Sequence, residues 1–224
     1  VYLTRSLQQQ YARECEVRLD PAGLRDYAKE RTGSPPQPDR PVLVFFGDSR
    51  ALMWGTPAIE GYDVRNVGVG FQTTAQLLLR FDADVPRLKP KIIVLEAGVN
   101  DLKAVAVLPA RRDEIVADCK KNLAALVERS RATGATVVLT GIFAIGDVPF
   151  YRKTSWSDGV APTVVEVNTY LKSLTSESVL WLDADPVLDD ARGKIKPDLQ
   201  HDFLHVNAAG YAALTEKLAP LVKR

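Results

Sequence analysis

The chain has two histidines, His201 and His205, and both fall in "HDFLHVN". Asp202 stands three residues before His205. In a turn of helix, positions three apart share one face. The carboxylate can then hold the imidazole Nδ1–H, fix the tautomer and leave Nε2 free to take a proton as a general base. The same letters also suit a surface turn that caps a last helix at Asn207, and this spacing alone does not choose. A base needs a group to act on. In "VLVFFGDSRALMWG", from Val42 to Gly55, an apolar run ends at Gly47 and presents Asp48, Ser49 and Arg50 at once. Serines after strands often cap helices. A serine at a helix start also lies where outward-pointing N–H groups stabilise negative charge.

Two further stretches carry donors. Asn100 in "GVND" (Gly98–Asp101) is neutral and can donate its amide N–H to a developing oxyanion, although Gly98 and Asn100 favour a turn equally well. In "NVGVGFQTT" (Asn66–Thr74), Gly68 and Gly70 let backbone N–H groups approach a ligand. No lysine follows at the spacing of a phosphate loop.

These residues need a frame. Val42–Phe46, Tyr62–Val67, Lys91–Gly98, Ala135–Phe143 and Ser178–Asp185 read as strands. Thr73–Asp84, Pro109–Ala132, Val164–Ser176 and Asn207–Val222 read as amphipathic helices between and after them. Apolar strands alternating with such helices predict an α/β fold, a three-layer α/β/α sandwich on about five parallel strands. Ligand sites in open parallel sheets lie beyond the carboxyl ends of the strands, where Asp48–Arg50, Gly68–Gln72 and Gly98–Asp101 fall. Residues from about Ser6 to Arg31 read as helical, and the prolines of Thr32–Pro41 read as an extended connector. Residues 1–40 are thus expected to be an amino-terminal extension, and 41–224 the main domain.

The bulk numbers exclude several classes. Lys+Arg is 29 and Asp+Glu 28 in 224 residues, a formal charge of +1, which predicts no field for nucleic acid. No run approaches the roughly 18 apolar residues of a membrane span. Residue 1 is Val, so a signal or anchor upstream is compatible with the sequence, and so is a cytoplasmic chain. Cys15 and Cys119 fit no metal or redox spacing and read as free thiols. Asp183 and Asp185 in "DADP" read as turn chemistry, with no metal and no cofactor expected. Asp48 reads as organising the turn around Ser49, His201 as a surface neighbour, and Trp54 as core.

The order of the blocks is more informative than any one of them. Ser follows the first core strand, a Gly-containing loop the second, Gly-x-Asn-Asp the third, and Asp-x-x-His precedes the last helix. This set resembles the SGNH hydrolases, or GDSL esterase/lipase family, from Val42 to about Leu221, and implies that family's flavodoxin-like fold. The resemblance implies Ser49 as nucleophile, His205 as base and Asp202 as its orienter. It implies an oxyanion hole from the Ser49 N–H, the Asn100 side chain and a loop N–H at Gly70 or Phe71. It departs from the family where Arg50 replaces the usual Leu and where the second block reads Gly70-Phe71-Gln72. Phe71 is expected to narrow the acyl side of the pocket. Arg50, Gln72, Tyr151 and Trp156 are taken as substrate-facing, the last two from the loop "FYRKTSW" (Phe150–Trp156).

The implied activity is hydrolysis of carboxylic esters through an acyl-enzyme, on a small-molecule or carbohydrate ester. Short acyl groups are favoured, because no large apolar lid is evident. An O-acyltransferase passing an acetyl group to a sugar hydroxyl would use the same residues. A non-catalytic carbohydrate-binding protein would not need the set intact.

Overall fold

The computed structural model describes residues 2–22, 37, 39–153 and 155–223. Its centre is a five-stranded, all-parallel sheet in the order β2-β1-β3-β4-β5. The strands are β1 (Val42–Gly47), β2 (Asp63–Asn66), β3 (Pro90–Glu96), β4 (Thr136–Thr140) and β5 (Val179–Leu182). They lie within the expected runs, one residue beyond at Gly47 and at Pro90. Except in β1, their carboxyl ends stop earlier than the expected runs, because the chain there leaves the sheet to build loops.

Side-chain alternation divides the core. Leu43 and Phe45 of β1 pack with Val94, Val138 and Leu182 against Trp54, Tyr211, Leu214 and Leu218. Val44 and Phe46 point the other way and pack with Ile93, Leu95 and Val137 against Leu77, Phe81, Leu123 and Val167. The period of two along each strand therefore covers both faces. Helices α2 (Ser49–Trp54) and α8 (Ala208–Val222) cover the first face. Helices α3 (Thr74–Asp84), α5 (Arg112–Ala132) and α6 (Val160–Ser173) cover the second.

Helix α6 starts four residues before the predicted Val164, since Pro162 is tolerated in a first turn. Pro109–Arg111 forms a separate single turn ahead of α5. Helix α1 (Tyr2–Leu19) ends well before the predicted Arg31. Pro21 follows at once, and the residue before a proline is driven out of the helical region. The remainder of that predicted helix, from residue 23, and the first five connector residues lie outside the described residues. The end of the connector docks, with Gln37 N donating to Asp63 Oδ2 at 2.8 Å. Cys15 and Cys119 are both free thiols.

The chain runs from β1 outward to β2, then returns to place β3 on the other side of β1. The sheet order therefore reverses between β1 and β3, and a crevice forms beyond their carboxyl ends. Those ends carry Gly47-Asp48-Ser49 and Glu96-Ala97-Gly98.

Candidate active site

Gly47 lets the two strand ends meet, since a Cβ there would sit 1.8 Å from the Glu96 carbonyl oxygen. The chain then turns into α2 with Asp48 as N-cap, its Oδ1 accepting from Arg50 N at 2.9 Å. Ser49 is thereby the first residue of the helix. Its Oγ lies 3.0 Å from His205 Nε2, across 156 residues of sequence.

His205 Nδ1 faces both oxygens of Asp202, at 3.0 and 2.9 Å. The expected helical turn is absent. Asp202 Oδ1 instead accepts from the N–H groups of Leu204 and His205, both at 2.7 Å. An aspartate that captures the main-chain donors two and three residues on holds a tight turn in place of a helix. Burial pushes the Asp202 carboxyl up, but the bonds from His205 and Leu204 outweigh it and hold the group below the usual carboxylate range. It is thus charged at neutral pH and aimed at Nδ1, which leaves Nε2 toward Ser49.

The loop after β2 lies against α2. Gly68 passes so close that a Cβ would meet Leu52 N at 2.4 Å, and Asn66 Nδ2 donates to Ala51 O at 2.7 Å and Gly55 O at 2.6 Å. A Cβ on Gly70 would come 3.9 Å from Ser49 Cβ, which places this loop beside Ser49. Phe71 has φ +65°, in the left-handed region, and its side chain is 71% exposed rather than packed into a pocket wall. From the end of β3, Gly98 (φ +120°) starts the short helix α4 (Val99–Leu102), which carries Asn100. Asn100 is buried, with Nδ2 donating to Gln72 O at 3.0 Å and Oδ1 accepting from Lys103 Nζ at 2.6 Å.

Two expected substrate contacts are corrected. Arg50 is fully buried, and its guanidinium donates to main-chain carbonyls of Phe143 at 2.9 Å, Leu204 at 3.0 Å and Ala144 at 3.4 Å. It ties the Ser49 helix to the loop that carries His205. Gln72 is also buried, with Nε2 on Ala22 O at 2.6 Å and Oε1 accepting from Arg80. Both side chains turned inward because each found fixed partners there. Tyr151 is on the surface, with Arg152 over its ring. Trp156 packs edge-on to Phe203, next to Asp202 in the chain, with ring centroids 5.1 Å apart. Trp156 also lines a cavity of about 470 Å³ with Ile145, Val164, Asn168 and Asp189, and neither Ser49 nor His205 reaches its wall. Asp185 opens a short helix, α7 (Asp185–Leu188). Among the described residues no cluster of three His, Cys, Asp or Glu could hold a metal, and no helix is long and apolar enough to cross a membrane.

Four side chains the sequence reading passed over organise this site. Arg80 is fully buried over the Phe46 ring and donates to Val67 O at 2.7 Å and Gly47 O at 3.0 Å. Its signal was a charge on the apolar stripe of α3, four residues before Asp84, to which it also bonds at 3.1 Å. Glu96, a lone acid ending the apolar run "KIIVL", is fully buried 3.9 Å from Arg50. Burial and the neighbouring Asp48 push its carboxyl well up, and burial pushes Asp48 up too. Asp101 accepts from Thr74 Oγ1 at 2.6 Å and Thr74 N at 2.9 Å, while burial raises it to about 6. Lys103 is the fourth.

Residues 33–213 match the model of the GDSL-like Lipase/Acylhydrolase family. Esterase TesA of Pseudomonas aeruginosa is 36% identical over 94 residues, which cover 41% of this chain and 43% of TesA. The human platelet-activating factor acetylhydrolase IB subunit alpha2 is 27% identical over 195 residues, 81% of this chain and 76% of that one. Among solved structures, a GDSL-like lipase from Bacteroides thetaiotaomicron superimposes with TM-score 0.66 at 21% identity, covering 90% of this chain and 98% of that one. The acetylxylan esterase Axe2 of Geobacillus stearothermophilus gives 0.65 at 19%, covering 84% and 97%.

Proposed function

This chain belongs to the GDSL-like lipase/acylhydrolase family, and within it we propose a serine esterase that cleaves short-acyl carboxylic esters through an acyl-enzyme. The catalytic unit is residues 41–224. Residues 1–40 are proposed as an extension, and in its described part the Pro21 and Ala22 carbonyls accept from Gln76 and Gln72. The observation that carries the proposal is the relay of Ser49 Oγ to His205 Nε2 at 3.0 Å, with Nδ1 held on Asp202.

In this mechanism His205 Nε2 takes the hydroxyl proton as Ser49 Oγ attacks the ester carbonyl. Asp202 stabilises the imidazolium without taking a proton itself. The oxyanion is met by the Ser49 N–H at the start of α2, the Gly70 N–H and the second N–H of Asn100 Nδ2. The imidazolium then gives its proton to the leaving alcohol. Water enters, His205 activates it, and the acyl group leaves as a carboxylic acid. Two similar proteins are named for acetyl hydrolysis, which supports a short acyl group. Trp156, beside the Asp202–His205 turn, is proposed as the wall toward the leaving group.

The test is turnover of p-nitrophenyl esters of increasing acyl length by wild type and Ser49→Ala, with fluorophosphonate labelling alongside. Wild type is expected to prefer acetyl to butyryl and to be labelled. Ser49→Ala should fold normally, escape labelling and lose about 10⁴–10⁶ in kcat. Equal turnover by the two proteins would overturn the proposal.

A further inference from the structure

An asparagine is an oxyanion donor only when its amide faces the right way. Reversed, it presents a carbonyl oxygen to the developing charge and repels it. Asn100 sits on a four-residue helix, and two contacts decide its orientation. Nδ2 donates one hydrogen to Gln72 O at 3.0 Å, and Oδ1 receives the Lys103 ammonium at 2.6 Å. An ammonium has donors only. The reversed amide would set Nδ2–H against Nζ–H and Oδ1 against the Gln72 carbonyl, replacing two hydrogen bonds by two repulsions.

We propose, building on the esterase mechanism above, that Lys103 is a positioning residue for the oxyanion hole. Its ammonium, through Asn100 Oδ1, locks the amide with its free N–H toward the oxyanion and polarises that N–H. A cation on the amide oxygen draws electron density from the nitrogen and strengthens the hydrogen bond it donates, because hydrogen bonds in a chain reinforce one another. The lysine also stays in place before substrate arrives. It is half-buried in the single turn Lys103–Ala106, with Nζ 5.7 Å from the centre of the Phe71 ring. The help is largest when negative charge has formed on the substrate oxygen, so it belongs to the transition state rather than to substrate binding.

The experiment is a double-mutant cycle on p-nitrophenyl acetate with Lys103→Met, Lys103→Arg, Asn100→Ala and the Asn100→Ala/Lys103→Met pair, each with a thermal unfolding curve. Asn100→Ala should lose about 10²–10³ in kcat, as for other lost oxyanion donors. Lys103→Met should lose about 10-fold or more in kcat with KM within about 2-fold of wild type, the mark of an interaction made only in the transition state. Lys103→Arg should recover most of that loss. In the Asn100→Ala background the lysine substitution should have no further effect, because the residue it acts through is gone. A Lys103→Met penalty that persists undiminished beside Asn100→Ala overturns the role of the lysine and leaves the esterase mechanism standing. An Asn100→Ala enzyme with wild-type kcat overturns the oxyanion assignment and the lysine proposal together.

Discussion

Glu96→Gln tests what lies beneath the Asp48–Ser49 turn. Glu96 and Arg50 are both fully buried, yet their nearest charged atoms are 3.9 Å apart while Arg50 spends its N–H groups on carbonyls at 2.9 and 3.0 Å. Among the described residues neither Glu96 oxygen nor Asp48 Oδ2 meets a hydrogen-bond donor. Two ionised carboxyls side by side in the interior would be intolerable. One proton shared between them joins Asp48 Oδ2 to one Glu96 oxygen and leaves a single negative charge to balance one guanidinium. Burial and Asp48 push the Glu96 carboxyl well up, which makes it the proton's holder. Glutamine has the shape of a protonated glutamate, so Glu96→Gln is expected to match wild-type stability within about 1 kcal/mol near pH 4 and to be no less stable than wild type at neutral pH. Were Glu96 an ionised partner of Arg50, breaking the pair would cost about 3–5 kcal/mol. The sign with pH separates the two further. A carboxyl raised by folding gives stability that is complete below its unfolded pKa and lost as pH rises toward the folded one. Wild type should therefore lose stability from about pH 4.5 upward relative to Glu96→Gln. Urea unfolding followed by tryptophan fluorescence at a series of pH values measures both. A variant destabilised by several kcal/mol at pH 7, or one whose deficit grows with pH, refutes the shared proton.

Arg50→Leu, which restores the residue usual after the motif serine, should behave in the opposite way. It removes charged bonds to Phe143 and Leu204 and strands the Asp48 charge, for a loss of about 3–5 kcal/mol in the same unfolding assay. Any folded fraction should turn over slowly, because the Leu204 carbonyl no longer holds the His205 loop. An Arg50→Leu protein as stable and active as wild type removes the tie. Gly47→Ala puts a methyl carbon 1.8 Å from the Glu96 carbonyl oxygen and should fail to give soluble folded protein, read by expression and circular dichroism. Gly70→Ala meets only Ser49 Cβ at 3.9 Å, so it should fold with an unfolding midpoint close to wild type.

The frame was legible because burial on two faces writes long apolar runs, and Val42–Phe46 and Lys91–Leu95 could be little else. The relay was legible for a different reason. With two histidines in the chain, one carrying an aspartate three residues upstream, the imidazole that meets Ser49 had few places to be. Its local geometry was not legible, since Asp202 reaches His205 through a main-chain-bonded turn, and a turn and a helix place residues three apart at similar distances. Arg50 and Gln72 were misplaced by a rule that usually works, that charged and polar side chains at a strand end face solvent or ligand. Only the carbonyls waiting inside decide otherwise, and no residue letter announces a main-chain carbonyl.

Those carbonyls explain why buried arginines belong at this edge. A parallel sheet ends with strand carbonyls directed out of the ladder, and loops that cross a crevice cannot pair them all. Arg80 takes Gly47 O and Val67 O at the ends of β1 and β2, and Arg50 takes Phe143 O and Ala144 O beyond β4 and Leu204 O in the histidine loop. Each planar guanidinium offers five donors in a fixed fork, so it fixes the directions as well as the distances of the segments it joins. Asp84 balances one, and the Asp48–Glu96 pair balances the other. The serine, glycine and histidine segments are thus held by fully buried cations. A lysine at either position would keep the charge and lose the fork.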